Sequence, residues 1–589
     1  MKTIKRLVLA ASLFAPLLLA LTAHSQSQSQ TQPSQPQSPP AEEKKEPGEE
    51  GIPVANQLVI DRCASCHKRD DKGRLTRISY ERRTPEGWQQ AIKRMVRLNG
   101  LNLTPDEARQ IVKYLSNNHG LAPEEAKPAF YEVERRVIDE KVPDENLRNA
   151  CVICHSLGRV ISQRRTREEW ELLTNMHAGY FPVVDFQGFR RPPRPPGQQP
   201  PPVPQPEDTR HPVERVVEYL AKNYPLTTPE WGAWRANMRT PKLQGRWLLS
   251  GYQAGRGRIY GEMIIEPSEV EDEFTTQIRM SYIKDGSAMT RSGRAIVYTG
   301  YSWRGRSQPT GGKEADRIGE TREAMFISRD WATMEGRWFW GGYDEFGIDV
   351  TLRRLGAEPI ILGVDRPALK SPSTAEQVRI YGGALPTDLK PEEIDFGPGV
   401  KVKRIINAAS DAVTVEVDVA EGAANGLRDI SLRRYFATGA VAVFDKVDYI
   451  KVSPDAGIAR IGGVKFPKQY QQFEAIAYNR GPDDKPQTAD DVSLGLVDVE
   501  WSIDEFPATL DDDDKDFVGE LDNTGLFTPA IEGPNPKRSK QRNNYGDVWI
   551  VASYRPKDAP NDAQPLKARS YLVVTVPLYV RWDQPEVSK

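Results

Sequence analysis

Two features of this 589-residue sequence predict a helical domain followed by three all-β domains. The first is a pentapeptide that occurs twice, Cys63-Ala-Ser-Cys66-His67 and Cys151-Val-Ile-Cys154-His155, set in helical periodicity that runs to about Tyr224. The second is a change of pattern after Pro225, where short alternating or apolar runs are separated by Gly, Asp, Ser and Arg-rich turns. The chain therefore reads as multidomain: mainly α first, then barrel and immunoglobulin-like sandwich domains.

The two pentapeptides contain every cysteine in the protein. In C-x-x-C-H, two thiols can add to the two vinyl groups of one haem while the adjacent imidazole takes an axial position on the iron. Four cysteines can instead form disulfides in an exported chain, or a tetrahedral zinc site. The histidine that follows each pair favours haem. This reading gives two c-type haems, attached through Cys63, Cys66, Cys151 and Cys154 with His67 and His155 as proximal ligands, and makes residues 52–226 a di-haem cytochrome c domain.

The N-terminus supports export. Residues Met1-Lys-Thr-Ile-Lys-Arg6 are basic and lead into the apolar run Leu7 to Leu21, which ends near Ala23-His-Ser25. This is the pattern of a secretory signal over residues 1–25, with a retained anchor as the alternative. Residues 26–51, rich in Gln, Ser and Pro and then in Glu and Lys, are expected to be a disordered leader. Haem of this type is attached outside the bacterial cytoplasm, so the expected location is the periplasm. A net charge of −2 argues against nucleic acid as a partner.

The helical region is an internal repeat. Each pentapeptide is followed by a tryptophan helix, Trp88 to Met95 and Trp170 to His177, and then by a closing helix, Ile111-Val-Lys-Tyr-Leu115 and Val216-Val-Glu-Tyr-Leu220. Thr104, Pro105 and Glu107 form a helix-start signature with a capping box. Seven residues on from Trp88 is Met95, and seven on from Trp170 is His177. The repeat thus proposes His67 and Met95 as axial ligands of the first haem, His155 and His177 of the second. Met95 also fits an apolar stripe with Trp88 and Ile92. Met176, His119 and His211 are the other candidate ligands. The proline tract from Arg190 to Pro206 reads as an exposed polyproline II loop that lengthens the second half.

Of the β-rich remainder, residues 240–356 are expected to form an antiparallel barrel whose aromatics and glycines belong to its core. Residues 357–444 suit an immunoglobulin-like sandwich, with Val378-Arg-Ile-Tyr-Gly382, Val400-Lys-Val402, Val413 to Val419 and Ala440 to Phe444 as strands. Residues 445–589 form a third β-domain ending in Tyr571-Leu-Val-Val-Thr-Val576. The acidic run Asp511-Asp-Asp-Asp-Lys515 lacks the spacing of a calcium loop and reads as a solvated loop.

In this order of domains the chain resembles the alpha subunit of bacterial quinohemoprotein amine dehydrogenase. The resemblance covers nearly the whole mature chain. It is most specific in Ala459-Arg-Ile-Gly-Gly463, Phe473-Glu-Ala475, Gly525-Leu-Phe-Thr-Pro-Ala530, Gly533-Pro-Asn-Pro536 and Asp547-Val-Trp549. It implies a periplasmic heterotrimer with a β-propeller subunit and a small subunit carrying cysteine tryptophylquinone. Primary amines reduce that quinone, and the electrons leave through the two haems to an external cytochrome c or blue copper protein. The leader and the proline tract depart from the family pattern. With all four cysteines assigned to haem, none remains here for a quinone crosslink, so no catalytic residue is assigned to this chain and the amine-oxidising site is expected on a partner. Two other readings stand beside this one: a di-haem peroxidase, which needs an open or displaceable sixth position, and a periplasmic di-haem cytochrome with β docking domains.

Overall fold

The computed structural model describes residues 49–129, 142–152, 155–184, 210–312, 318–507, 512–560 and 562–578. The signal stretch, all but the end of the leader, Cys154 and the proline tract lie outside the described residues.

Nine of the ten α-helices among the described residues precede Gly245. They are α1 (Gln57–Cys63), α2 (Pro85–Asn99), α3 (Pro105–Asn118), α4 (Pro123–Ala126), α5 (Glu145–Ala150), α6 (Gly158–Ile161), α7 (Arg167–Tyr180), α8 (Pro212–Asn223) and α9 (Pro229–Ala236). Their starts follow from local chemistry. Thr84, Thr104, Thr166 and Thr228 each accept a backbone N–H from the first turn of the helix they precede, satisfying a donor that the helix itself leaves unpaired. The Thr104–Glu107 capping box is formed. The closing helices bury matching sets, Ile111, Val112 and Leu115 on α3 and Val216, Val217 and Leu220 on α8.

The two halves are joined by a ribbon that helical periodicity does not reveal. Strands β1 (Glu81–Arg83) and β2 (Gln163–Arg165) pair antiparallel, with Arg82 opposite Arg164. Both guanidiniums are buried and share the carboxylate of Glu125, at 2.7 and 3.2 Å. Arg82 also donates to the carbonyls of Gly120 and Leu226, at 3.0 and 2.6 Å.

Eight strands then close a barrel: β3 (Gly245–Gln253), β4 (Gly257–Pro267), β5 (Glu273–Tyr282), β6 (Ala288–Tyr298), β7 (Ser302–Gly312), β8 (Thr321–Ile327), β9 (Thr333–Trp340) and β10 (Phe346–Arg354), with β10 pairing back onto β3. Alternation is clean on β5, where Phe274, Thr276, Ile278, Met280 and Tyr282 are buried. Trp247, Trp303 and Trp338 fill the interior. Gly261 and Gly336 let neighbouring backbone in: a Cβ at either would sit 2.1 Å from a carbonyl oxygen across the strand pair.

The barrel carries the helical part on one face. Leu121, Ala122, Ala126, Trp231 and Trp234 pack with Tyr301 and Phe326 of the barrel. Thr299 donates its backbone N–H to Asn117 Oδ1 at 2.7 Å and its hydroxyl to the Ser116 carbonyl at 3.1 Å, and the Tyr301 hydroxyl donates to the Leu121 carbonyl at 3.0 Å.

Beyond the barrel stand two four-stranded sheets. One orders Ile360–Val364, Ser373–Gly383, Ala412–Val419 and Val400–Ala408; the other orders Ala368–Lys370, Tyr435–Phe444, Gly426–Leu432 and Ile394–Asp395. Val413, Val415, Val417 and Val419 alternate into the core they enclose. The C-terminal region has sheets of three, four and three strands around Phe473, Phe527, Ile550 and Leu572. Two strand pairs in these regions are parallel rather than antiparallel.

The acidic run corrects the sequence reading. Asp511 lies outside the described residues, but Asp514 is buried rather than solvated. It accepts from the Asp547 backbone N–H at 3.0 Å and pairs with the fully buried Arg538, which also holds Asp513 at 2.8 Å. A buried cation needs such partners, and the spacing of acidic residues alone does not disclose it.

Candidate haem centres

The first centre grows out of α1. At its C-terminal end the chain turns once more, and the backbone N–H groups of Cys66 and His67 both donate to the Cys63 carbonyl, at 3.2 and 2.9 Å. Cys63 is half-buried against the core built on Val59, Trp88, Ile111 and Leu115, and Cys66 is exposed. Burial pushes the Cys63 thiol up to about 11. The His67 ring places Nδ1 2.8 Å from the Thr76 carbonyl oxygen. That contact puts the proton on Nδ1 and makes Nε2 the nitrogen for a metal. Met95 lies on α2, half-buried and outside the core around Trp88, with Asn99 Nδ2 3.7 Å from its sulfur.

The second centre follows α5. The Cys151 N–H donates to the Leu147 carbonyl at 2.9 Å, and burial raises its thiol to about 12. His155 Nδ1 lies 3.0 Å from the Ser156 carbonyl oxygen, and His177 Nδ1 lies 2.8 Å from the Leu173 carbonyl oxygen. The two ring centroids are 6.5 Å apart, with planes inclined by 54°. An imidazole nitrogen binds a metal at about 2.0–2.1 Å and sits about 1.2 Å from its ring centre, so two imidazoles on opposite sides of one iron have centres about 6.4 Å apart. The observed separation fits a single metal held between His155 and His177.

The alternative imidazoles have other surroundings. His119 is fully buried at the end of α3, edge-on to Trp88 at 6.1 Å, and His211 caps α8 by accepting the Val213 N–H on Nδ1. Beside the proposed sixth ligands several large apolar side chains are exposed. Val96 and Leu98 follow Met95 on α2, and Leu172, Tyr180, Phe181 and Val183 lie on α7 or just after it, all exposed. Large apolar side chains clustered next to ligand residues suit a macrocycle that is itself mostly apolar.

Arginine is the feature that sequence reasoning missed. Trp88 and Trp170 are anchored alike, each donating its indole N–H to the carbonyl at the end of its closing helix, His119 at 2.9 Å and Tyr224 at 3.1 Å. Arg83 lies over Trp88 and Arg165 over Trp170, both at 5.7 Å. The signal was present, because Arg-Arg-Thr precedes each tryptophan by the same spacing, at Arg82-Arg83-Thr84 and Arg164-Arg165-Thr166.

Four family models of the quinohemoprotein amine dehydrogenase alpha subunit match along the chain: the haem-binding region at residues 53–194, domain II at 240–355, domain III at 358–445 and domain IV at 450–587. The chain belongs to this family. No curated protein matches. Among solved structures, a redesigned β-barrel is similar at 12% identity with a TM-score of 0.17, over 19% of this chain and 92% of that one. A second redesigned β-barrel, bound to DFHBI, is similar at 14% identity and 0.17, over 19% and 94%. Mouse cadherin-23 EC22-24 is similar at 10% and 0.14, over 57% and 87%.

As a quinohemoprotein amine dehydrogenase alpha subunit, the chain has a haem-binding region that includes both pentapeptides, Met95 and His177. No helix among the described residues is long and apolar enough to cross a membrane.

Proposed function

We propose that this chain is the di-haem electron-transfer subunit of a periplasmic quinohemoprotein amine dehydrogenase. It takes electrons from a tryptophylquinone on a small partner subunit, reduced by primary amines, and passes them to an external cytochrome c or blue copper protein. A β-propeller subunit completes the complex. The observation that carries the reading is the match of the family's haem-binding region to residues 53–194, which contain both C-x-x-C-H segments.

When bound, haem supplies a one-electron carrier. The protein's own residues do the rest. Cys63 and Cys66, and Cys151 with Cys154, would hold the two groups covalently. His155 and His177 would both hold the second group, which counts against a peroxidase, whose chemistry needs a displaceable ligand. The carbonyls of Thr76, Ser156 and Leu173 orient the imidazoles and raise their donor strength. Met95 would join His67 in holding the first group, and a thioether is a weaker donor than an imidazole, so that site would have the higher affinity for an electron.

The test is purification of the native complex. The expected result is a quinone stain on a small subunit, two covalent haem equivalents on this chain, and haem reduction on adding a primary amine. Two haems with no quinone subunit and no response to amines would overturn the reading. Met95→His should lower the higher of the two potentials and remove the methionine–iron band in the far red, with haem content unchanged.

A further inference from the structure

The two haem units are joined by charge as well as by the ribbon. Glu81 opens β1, and its Oε2 lies 2.6 Å from Arg83 Nη2 on its own strand and 2.5 Å from Arg165 Nη2 on the opposite strand. Those are the two arginines that lie over Trp88 and Trp170. Trp88 shares its core with Cys63, and Trp170 shares its core with Cys151. The line of contacts from one cysteine-bearing core to the other therefore passes through one carboxylate oxygen. Glu81, Arg83 and Arg165 are 6%, 9% and 1% exposed, so water screens the charges little. Burial opposes ionisation of Glu81, but Arg165 and Arg83 outweigh it and hold the carboxyl at about 2. Glu81 is an anion at any working pH.

The repeat is broken at this position. Counting back seven residues from each tryptophan pairs Glu81 with Gln163, which is neutral and whose side-chain oxygen accepts from Arg165 Nε at 2.9 Å. The second unit carries Glu169 instead, where the first has Gly87. Glu169 reaches Arg165 at 3.5 Å and Arg77 at 2.9 Å, but makes no ion pair with the arginine over Trp88. Among the described residues, only Glu81 forms ion pairs with both tryptophan-stacked arginines.

We propose that Glu81 is a shared positioning residue that tunes both haem sites at once, acting through Arg83 and Arg165. A negative charge near an iron favours the more positive oxidation state, and two buried guanidiniums deprived of that charge favour the less positive one. One carboxylate between two units thus moves both potentials in the same direction and keeps the gap set by the axial ligands nearly constant. The inference rests on the two-haem reading of the preceding section.

The test is a spectroscopic redox titration of the full-length, haem-loaded chain in wild type, Glu81→Gln, Glu81→Asp and Glu169→Gln, at pH 8.5. That pH is above the value of about 7 to which burial pushes Glu169. Glu81→Gln is expected to shift both reduction equilibria toward the ferrous form by about tenfold, 59 mV per electron. Glu81→Asp should restore most of the wild-type values, and Glu169→Gln should move the second site more than the first. If Glu81→Gln does not accumulate, Arg83→Gln decides the matter: freeing Glu81 of one cation should lower both potentials. A shift confined to one site, or none, with two haems bound, overturns the proposal alone. A wild-type chain with fewer than two covalent haems overturns it together with the reading beneath it.

Discussion

His155 and His177 stand with ring centres 6.5 Å apart, and two separate elements create that distance. His155 is placed by the turn that follows α5, and His177 by α7, which Thr166 caps and Trp170 pins to the Tyr224 carbonyl. His177→Met should convert this site to His/Met ligation. A second far-red methionine band should then appear, and the lower potential should rise on the order of 0.1 V, within the roughly 0.8 V over which axial ligands tune haem. Unchanged spectra and potentials would remove His177 from the ligand set.

The two attachment sites are expected to be independent. A Cys63→Ala, Cys66→Ala double variant should retain one haem equivalent, seen as about half the haem stain after denaturing electrophoresis, because the second pentapeptide supplies its own thiols. Two full equivalents in that variant would contradict thioether attachment at the first site.

His119 makes the fold sensitive to acid. Burial, with further contributions from Arg235 and Arg82 against Glu81, lowers its pKa to about 3. Neither ring nitrogen has a hydrogen-bond partner, so nothing in the folded state stabilises the charged form. Below the ordinary histidine value of about 6.5 the unfolded chain takes a proton that the folded chain refuses, so stability falls as pH drops from there toward 3. The slope is about 1.4 kcal/mol per pH unit. Calorimetry between pH 7 and 5 should show a loss of about 2 kcal/mol from this residue, and His119→Phe should flatten that part of the profile.

Inside the barrel, the Trp303 indole donates to Glu323 Oε2 at 3.0 Å, with both side chains buried. Burial raises the Glu323 pKa. Trp303→Phe should cost about 1–3 kcal/mol by leaving that oxygen unsatisfied. Adding Glu323→Met should cost less than the sum of the two single changes, because the partner left without a bond is removed as well. Additive losses in the calorimetric transition would show that the two side chains do not act as a pair.

What the sequence alone determined is what is local in the chain. Haem attachment is read from five consecutive residues because thioether chemistry and the proximal imidazole sit side by side in Cys63–His67 and Cys151–His155. The helix starts at Thr104 and Thr166 and the alternation from Val413 to Val419 are equally local, because caps and pleats involve residues one to four positions apart. The repeat also proposed Met95 and His177, yet it left His119, His211 and Met176 open, because spacing does not say which side chains meet. Tertiary structure placed the His177 ring 6.5 Å from that of His155, while His119 is packed edge-on against Trp88. It also decided that Arg82 lies opposite Arg164 across a ribbon, and that Asp514 is buried because Arg538 comes to it. These are contacts between segments distant in sequence, and their energies come from desolvation and pairing at the place where the segments meet, which no local pattern encodes.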